Sequence, residues 1–410
     1  MPDVLVIGGG AAGLMAAYAA ASYGARVRIL EHNEKAGKKI YITGKGRCNL
    51  TNDCTRDEFM REVARNPRFL YSALSALSPQ DMMSLMEENG LPLVTERGRR
   101  VFPASYHASD VTKTLEKMLR RLDVEILFHT QASHLLTEDG HISGVETADG
   151  HRLSADRVIL ATGGLSYPST GSTGDGFRMA CETGHTLQPL FPSLVGVDTR
   201  EAWPKELQGL SLKNVRLCAK QGKKVIYDEL GEMLFTHFGI SGPLVLEMSC
   251  HLPDRPEEAA LSLNLKPGLT PEQLTARLQR DFDAQPRRRL RSMLEGLLPQ
   301  RFAALFPECI GLDGEKTCAN ISRQEREMLR ASLQQLPLHI LSRRPFSEAI
   351  VTRGGITVKE VSSQTMESRI LPGLYLCGEV LDVDAHTGGY NLQIAFSTGY
   401  LAGMSAAQSD

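Results

Sequence analysis

The sequence predicts an α/β protein built around a parallel β-sheet, and three features near its N-terminus predict it. Residues 4–7 are a short run of Val, Leu and Ile, typical of a buried parallel strand. The run leads into a G-x-G-x-x-G segment at residues 8–13, and Ala-rich residues 11–22 favour a helix. A second β-branched run, residues 26–30, ends at Glu31. This order is typical of a dinucleotide-binding βαβ unit.

Each glycine of this motif, and the acid that follows it, has a physical task. Gly8 allows a tight turn, Gly10 lets the backbone approach a pyrophosphate, and Gly13 lets the helix pack close to the strand. The helix N-terminus then presents N–H groups and a positive dipole end to phosphate. Glu31 can accept hydrogen bonds from ribose hydroxyls. A glycine-rich turn of some other α/β protein is the alternative, and the flanking strands and acid disfavour it.

The elements that follow extend the sheet. A helix is expected near residues 109–121, followed by a third strand at 124–128. Short alternating strands come next, with hairpin signals at residues 139–140 and 149–150, both Asp-Gly. Residues 157–160 form another apolar strand, which ends in an Ala-Thr-Gly sequence.

The C-terminal segment repeats this strand-to-helix pattern. Residues 374–377 form an apolar strand that ends at Gly378 and Glu379. Gly388 and Gly389 then precede an apolar pattern that predicts a helix over about 391–406. Two adjacent glycines suit a place where backbone must approach a flat ligand closely. An ordinary glycine-rich loop before a terminal helix is the alternative.

Together, the βαβ unit, the meander and the Ala-Thr-Gly strand end resemble the large FAD-binding superfamily that includes glutathione reductase and fumarate reductase. The resemblance implies that the strand end at Gly378 contacts the ribityl-pyrophosphate part of FAD. It also implies that the helix after Gly389 directs its N-terminus at the flavin N1–C2=O edge, where the dipole stabilises reduced flavin.

Several longer blocks resemble one bacterial group much more closely, the BaiN/RdsA-like family, also called aminoacetone-oxidase-like NAD(P)/FAD-dependent oxidoreductases. The resemblance spans the whole chain and implies an α/β, Rossmann-like FAD-binding domain of the glutathione/fumarate reductase type with an inserted β-barrel and a small helical domain. The blocks that carry it are residues 37–39, 43–52, 101–103, 234–243, 352–355 and 378–393.

The implied layout has three parts. Residues 1–190 and 350–410 form a discontinuous FAD-binding domain, residues 191–267 and 336–349 the barrel, and residues 268–335 the helical insert. Short strands with a Gln-Gly turn at 221–222 suit the barrel. The helical insert begins at a capping signal, Thr270-Pro271-Glu272.

The cofactor implied by the resemblance is noncovalent FAD, because residues 36–52 lack the His that holds covalent flavin in related enzymes. NAD(P)H is expected only as a transient donor, since the chain has a single G-x-G-x-x-G segment. The predicted FAD-binding residues are Gly8, Gly10, Ala11, Ala12, Gly13, Glu31, Lys39, Gly44, Gly46, Arg47, Cys48, Asn49, Ala132, Ala161, Thr162, Gly163, Gly378, Glu379, Gly388, Gly389, Tyr390 and Asn391.

Four residues are candidates for catalysis. Cys48 could donate a proton opposite the hydride, or it could be a buried filler, which we favour. His237, between two phenylalanines, could be a substrate donor or a structural histidine. His386 stands just before Gly388 and carries an imidazole, a group suited to proton transfer. Arg353 could anchor a substrate carbonyl or carboxylate, or form an ordinary ion pair.

Composition limits the partners. The chain of 410 residues has a net charge of -2, which excludes a globally basic nucleic-acid coat. Residues 270–345 nevertheless carry 13 Lys and Arg against 9 Asp and Glu. That segment includes a basic cluster at residues 287–291, hereafter the arginine cluster. It could contact RNA or be a solvated helix face.

Location and metal content can also be predicted. The 8 cysteines form no C-x-x-C pair, so we expect no metal site and reduced thiols. Because no apolar run approaches the roughly 20 residues of a membrane helix and no signal peptide is recognisable, we expect a cytoplasmic protein without membrane contact.

The activity expected is hydride transfer through flavin N5 to an activated C=C bond of a ring, in a bile-acid-like small molecule or in uracil. The resemblance leaves three alternatives: a 23S ribosomal RNA dihydrouridine synthase, an aminoacetone or amine oxidase, and a non-catalytic flavin-bearing assembly factor. The oligomeric state stays open.

Overall fold

A computed structural model describes residues 1–408 of the chain. The chain divides into two compact units. The first unit contains Met1–Ser193 and the segment from Pro345 onward, and the second contains Leu194–Arg344. Among the described residues, no helix is both long and apolar enough to span a membrane.

The elements follow one another along the chain as two series. The strands are β1 (Asp3–Ile7), β2 (Arg26–Leu30), β3 (Thr51–Asn52), β4 (Leu93–Glu96), β5 (Arg100–Pro103), β6 (Glu125–Leu127), β7 (Ala132–Glu138), β8 (His141–Thr147), β9 (Arg152–Ser154), β10 (Arg157–Leu160), β11 (Phe191–Ser193), β12 (Val197–Thr199), β13 (Ser211–Gln221), β14 (Lys224–Phe235), β15 (Gly239–Ser241), β16 (Ala259–Asn264), β17 (Leu336–Arg343), β18 (Val351–Arg353) and β19 (Leu374–Leu376). The helices are α1 (Ala11–Ser22), α2 (Lys38–Ile42), α3 (Arg56–Arg61), α4 (Tyr71–Ala76), α5 (Pro79–Glu88), α6 (Ala108–Arg121), α7 (Asp175–Glu182), α8 (Trp203–Glu206), α9 (Pro243–His251), α10 (Pro271–Ala284), α11 (Leu290–Met293), α12 (Gln300–Cys309), α13 (Arg323–Gln334) and α14 (Tyr390–Gln408).

The first unit is organised by a five-stranded sheet in the order β19-β10-β1-β2-β6. Each neighbouring pair is parallel. The apolar strand β1 lies at the centre and is almost wholly buried, as its sequence predicts. Ile7 is level with Leu30 and with Leu160, and Leu160 is level with Leu376. The residues that follow these four strands therefore meet at one edge of the sheet.

The first and last helices of this unit pack closely together. A Cβ atom on Gly399 would lie 2.3 Å from the Ala12 carbonyl oxygen, and one on Gly403 would lie 2.0 Å from the Ala16 carbonyl oxygen. Small residues at this four-residue spacing bring the two backbones together, so α14 holds α1 at the level of the glycine turn. The predicted C-terminal helix is confirmed and begins one residue earlier than expected.

The predicted meander is also confirmed. Strands β7, β8 and β9 form an antiparallel sheet, with both Asp-Gly turns at its ends. Asp139 and Gly140 both have positive φ, as a two-residue hairpin turn requires. A separate small sheet, β3-β5-β4, lies in the same unit.

The second unit contains a closed barrel in the order β12-β15-β14-β13-β16-β17. Strand β17 pairs with β16 and so returns the chain to the barrel, as predicted. Helix α10 begins after Thr270, which forms a capping box with Gln273. The barrel and the helices share one core: Phe302 of α12 lies 5.6 Å, ring to ring, from Phe235 of the barrel. The helical insert therefore does not have a core of its own.

Candidate functional site

The predicted cofactor residues of four strands lie at the strand-end edge of the first unit. Gly8 follows β1, Glu31 follows β2, Ala161 follows β10, and Gly378 follows the last sheet strand by two residues. In open α/β sheets, this edge is where ligands bind. The structure thus brings together residues separated by up to 370 positions in the sequence.

The glycine turn has two kinds of glycine. A Cβ atom on Gly13 would lie 1.8 Å from the Gly8 carbonyl oxygen, so the protein itself requires glycine there. A Cβ atom on Gly10 would meet no atom of residues 1–408 within 4 Å. Gly10 precedes α1 directly and has no side chain to cap it. The turn therefore leaves open space in front of the helix N-terminus, as a bound pyrophosphate would need.

Glu31 is buried and fixed beside this turn. Its Oε2 accepts a hydrogen bond from Gly9 N at 2.8 Å, and its Oε1 accepts from Asn33 N at 2.8 Å and Asn33 Nδ2 at 2.7 Å. A carboxylate can accept about four hydrogen bonds, so one further donor can be taken. The geometry fits a ribose hydroxyl, the partner expected from the sequence.

Lys39 and Glu379 contact each other. Their Nζ and Oε2 atoms are 2.6 Å apart, and Ser166 and Thr352 complete the cluster through hydrogen bonds to Glu379 Oε1. Burial alone would raise the pKa of Glu379, but the Lys39 charge and these hydrogen bonds hold it below its ordinary value. The pair thus orders the loop after β10. Ser166 was missed in the sequence, where an isolated serine gives no distinguishing signal, and Thr352 donates through its backbone N–H, which no residue type signals.

Residues 43–49 form a tight loop that contains several predicted FAD ligands. Cys48 is fully buried, and burial raises the pKa of its thiol to about 12, so the thiol keeps its proton at neutral pH. The Oδ1 atom of Asn49 is buried and has no hydrogen-bond partner among residues 1–408, and the same is true of Thr162 Oγ1. Such atoms are rare in folded proteins unless a ligand or water satisfies them.

The glycine pair before α14 is held by the small sheet. Asn52 Nδ2 donates to the Gly388 carbonyl oxygen at 3.0 Å, and a Cβ atom on Gly389 would lie 2.4 Å from the Thr51 carbonyl oxygen. The side-chain amide of Asn391 accepts a hydrogen bond from the Ala385 backbone N–H and donates one to the Ala385 carbonyl oxygen. Two further predicted FAD-binding residues are buried in the same unit. The Tyr390 ring packs edge-on against Phe59, and Ala132 lies on β7.

The catalytic candidates lie in different places. His386 Nδ1 is 3.0 Å from Glu62 Oε2, and the His386 backbone N–H donates to the Glu62 carbonyl oxygen. Arg353 is largely buried and lies over the Phe191 ring at 5.2 Å. His237 belongs to the second unit, where its ring lies 5.0 Å from that of Phe238. The roles predicted for these residues and for Cys48 stay predictions.

Two buried carboxylates near Arg353 were missed in the sequence. Asp382 is 3.3 Å from Arg65, and Asp384 accepts a hydrogen bond from Ser193 at 3.3 Å. Burial raises the pKa of Asp384 to about 6, although the charges of Arg65 and Arg353 oppose this shift. The signal available in the sequence was the alternation of acidic and apolar residues at 380–384.

The arginine cluster is partly neutralised within the second unit. Arg289 and Arg291 both contact Glu315, at 2.6 and 2.5 Å, and Arg288 is 3.5 Å from Glu295. These acids lie 7 to 26 residues from their partners in the sequence. The cluster therefore offers an anion less charge than its arginines alone would suggest.

Comparison with known proteins identifies the family. A model of the HI0933-like protein Rossmann domain matches residues 2–405. The chain belongs to the HI0933-like family. This confirms the BaiN/RdsA-like resemblance, and with it the Rossmann-type FAD-binding fold of a flavoprotein oxidoreductase.

Two relatives of this HI0933-like chain match over nearly their whole length. A protein of Clostridium scindens named 3-dehydro-bile acid delta(4,6)-reductase is 35% identical, and the match covers 100% of both chains. A ribosomal RNA dihydrouridine synthase of Haemophilus influenzae is 32% identical, with 98% of each chain covered.

A solved structure supports the fold. The 3-ketosteroid-delta4-(5alpha)-dehydrogenase of Rhodococcus jostii, in complex with 4-androstene-3,17-dione, matches with a TM-score of 0.55. The match covers 100% of this chain and 97% of that chain at 16% sequence identity, so it bears on architecture alone.

Proposed function

We propose that the protein is a reductase that binds FAD noncovalently and delivers hydride to a C=C bond conjugated to a carbonyl in a ring-shaped small molecule. The observation that carries the proposal is the strand-end edge of the first unit. There an open glycine turn and the fixed Glu31 carboxylate lie at the ends of adjacent parallel strands.

The residues present fit the dinucleotide. The N-terminus of α1 with Gly10 would hold the pyrophosphate, and Glu31 the adenosine ribose. The unpartnered Asn49 Oδ1 requires an N–H or O–H donor, and the ribityl and ring portions of FAD supply both kinds. When bound, the flavin supplies the hydride chemistry.

The protein's own contribution to the reaction would be positioning and proton transfer. We propose that His386 supplies the proton to the carbon that does not receive hydride, because Glu62 fixes its ring just before the Gly388–Gly389 loop. Cys48, with its proton retained, stays the competing donor. Arg353 is proposed as a substrate contact, and NADH or NADPH as the transient electron donor.

A small-molecule substrate is favoured over RNA by the arginine cluster. Glu295 and Glu315 contact three of its arginines and offset half of the cluster's positive charge, which reduces the charge available to neutralise phosphates. The first relative, whose name specifies a bile acid, agrees with this choice.

Ribosomal RNA dihydrouridine synthesis is the second candidate. It is supported by the second relative and by the local excess of positive charge over residues 270–345. Uracil also contains a C=C bond conjugated to a carbonyl, so the same hydride chemistry would serve. A ribosomal substrate would place the protein in the cytoplasm.

Anaerobic reoxidation tests the proposal. The purified holoenzyme is reduced with NADH or NADPH, and a 3-oxo-Δ4,6 bile acid or a transcript of large-subunit ribosomal RNA is then added. We expect rapid return of the oxidised flavin spectrum with the bile acid and a saturated product by mass spectrometry.

Other outcomes separate the alternatives. Reoxidation by the transcript with formation of dihydrouridine would replace the small-molecule assignment with the RNA one. Peroxide production from aminoacetone would instead indicate an oxidase, and bound flavin that no donor or substrate turns over would indicate an assembly factor. Absence of bleaching by either nucleotide would exclude both as the donor.

A further inference from the structure

The loop of residues 43–49 has a backbone that is costly to form. Gly44, Lys45, Gly46 and Cys48 all have positive φ, at 61°, 59°, 83° and 56°. For residues that carry a Cβ atom, such as the lysine and the cysteine, this conformation costs about 1–2 kcal/mol each. Conformations of this kind persist only where the surrounding structure enforces them, and they concentrate at functional sites.

Arg47, the one residue of 44–48 outside the left-handed region, is fixed by three side chains. Its guanidinium carbon lies 4.5 Å from the ring centroid of Phe102 and 5.5 Å from that of Tyr106. Its NH1 atom is 3.2 Å from Glu96 Oε1. Tyr106 also hydrogen-bonds to Glu96, and this bond raises the pKa of the phenol. The arginine thus joins a charge contact to two aromatic faces.

The loop is also supported at a second point. Phe102 lies on β5 and Glu96 on β4, so two of the arginine's three contacts belong to one hairpin. After that hairpin, the backbone N–H of Ala108 donates to the Gly46 carbonyl oxygen at 2.9 Å. The loop is therefore fastened on both sides of Arg47, and Asn49 follows immediately.

We propose that Arg47 is a positioning residue: it holds the strained loop against the β4–β5 hairpin and so directs the Asn49 carboxamide oxygen at the flavin. The inference rests on the proposed function, because it assumes that Asn49 contacts the cofactor. It refines the expectation that Arg47 itself binds FAD, since Glu96 already balances its charge.

A double-mutant cycle on FAD affinity tests this assignment. We expect Arg47→Ala and Asn49→Ala each to raise the FAD dissociation constant about tenfold, the loss of one hydrogen bond. Because both changes remove the same contact, the double variant should be within about twofold of the weaker single variant. An additional tenfold loss in the double variant would overturn the proposal, as would wild-type affinity of Asn49→Ala.

Two further variants identify which property of Arg47 matters. One separates its stacking on aromatic rings from its charge, and the other controls for the loss of a surface ion pair in general. Arg47→Lys keeps the charge but loses the planar group, so we expect it to resemble Arg47→Ala; wild-type affinity would overturn the proposal. Arg178→Ala is the matched control, since Arg178 is 44% exposed beside Glu182 and Arg47 is 43% exposed beside Glu96. It should leave FAD affinity unchanged.

Limited proteolysis of the apoprotein gives a reading that does not depend on flavin. We expect trypsin to cleave after Lys45 at least tenfold faster in Arg47→Ala than in the wild type, with the thermal unfolding midpoint little changed. Equal cleavage rates would overturn the holding role even if the cofactor assignment stands. If Arg47→Ala is cleaved faster but binds FAD with wild-type affinity, Arg47 fixes the loop without directing Asn49 at the flavin.

Discussion

The strand-end edge of the first unit and the arginine cluster of the second unit are both suited, by sequence, to bind anions. They differ in what their polar groups already contact. At the edge, Gly10 faces open space and Asn49 Oδ1 has no partner within residues 1–408. In the cluster, Arg289 and Arg291 share the Glu315 carboxylate. A candidate binding site is therefore better recognised by open space and by polar atoms that lack a hydrogen-bond partner than by local charge.

The largest effect should come from filling the open glycine. In Gly10→Val, the side chain would occupy the space in front of α1, so we expect FAD affinity to fall at least 100-fold, about 2.7 kcal/mol. The apoprotein should unfold at nearly the wild-type temperature, because a Cβ atom at this position meets no described protein atom within 4 Å. Fluorescence titration and calorimetry measure both quantities.

Gly268→Val is its matched control. A Cβ atom on Gly268, in the second unit, also meets nothing within 4 Å among the described residues. It should leave FAD affinity unchanged. Equal loss of affinity in the two variants would remove the distinction between the units.

A buried carboxylate tests whether every polar atom without a hydrogen-bond partner marks a ligand-binding site. Asp384 Oδ1 also has no partner within the described chain, and burial raises the pKa of this group to about 6. A raised pKa means that ionisation destabilises the fold as pH rises from about 4 through 6. Asp384→Asn should therefore raise the free energy of unfolding by about 1–3 kcal/mol at pH 8 and by little at pH 4. Calorimetry at both pH values measures this, and a pH-independent difference would contradict it.

Releasing the arginine cluster should have a moderate effect. Glu315→Gln frees two guanidinium groups, so nonspecific RNA affinity should rise, and the slope of log K against log salt should steepen by about 1–2. Filter binding at several salt concentrations measures the slope. Glu308→Gln, a carboxylate of the same unit outside the cluster's ion pairs, is the control. An unchanged slope in Glu315→Gln would show that the pairs do not limit RNA contact.

The smallest effect is expected from a buried thiol in each unit. Cys48→Ala and Cys318→Ala both remove a largely buried sulfur and should each cost about 1 kcal/mol of stability. Turnover per bound flavin should stay within about twofold of wild type in both, as the filler interpretation requires. A large loss of turnover in Cys48→Ala alone would restore its role as a proton donor.

Much of the fold was predictable because its signals are local. The apolar run of β1, the Asp-Gly hairpin turns and the Thr270 cap each depend on a few neighbouring residues, and each was confirmed. The parallel order of the sheet followed from the βαβ unit and from the family resemblance.

The parts that could not be predicted depend on pairings distant in the sequence. Glu315 lies 26 residues from Arg289, and Glu379 lies 340 residues from Lys39. The hydrophobic pattern of the sequence does not predict contacts between residues so far apart. Likewise, the cation–π contact of Arg47 depends on a hairpin about 50 residues further along, so the sequence indicated only a direct FAD contact for this arginine.

The close packing of α14 on α1 also bears on how the chain is made. Helix α1 leaves the ribosome well before α14, and β10 leaves it well before its outer neighbour β19. Chains emerge from the ribosome at about 5–20 residues per second, so the N-terminal glycine turn waits tens of seconds for its partner helix. During that interval the apolar face of α1 has no native cover from α14. Early protection by a chaperone, or by rapid folding of the intervening segment, would be of most value to this end of the molecule.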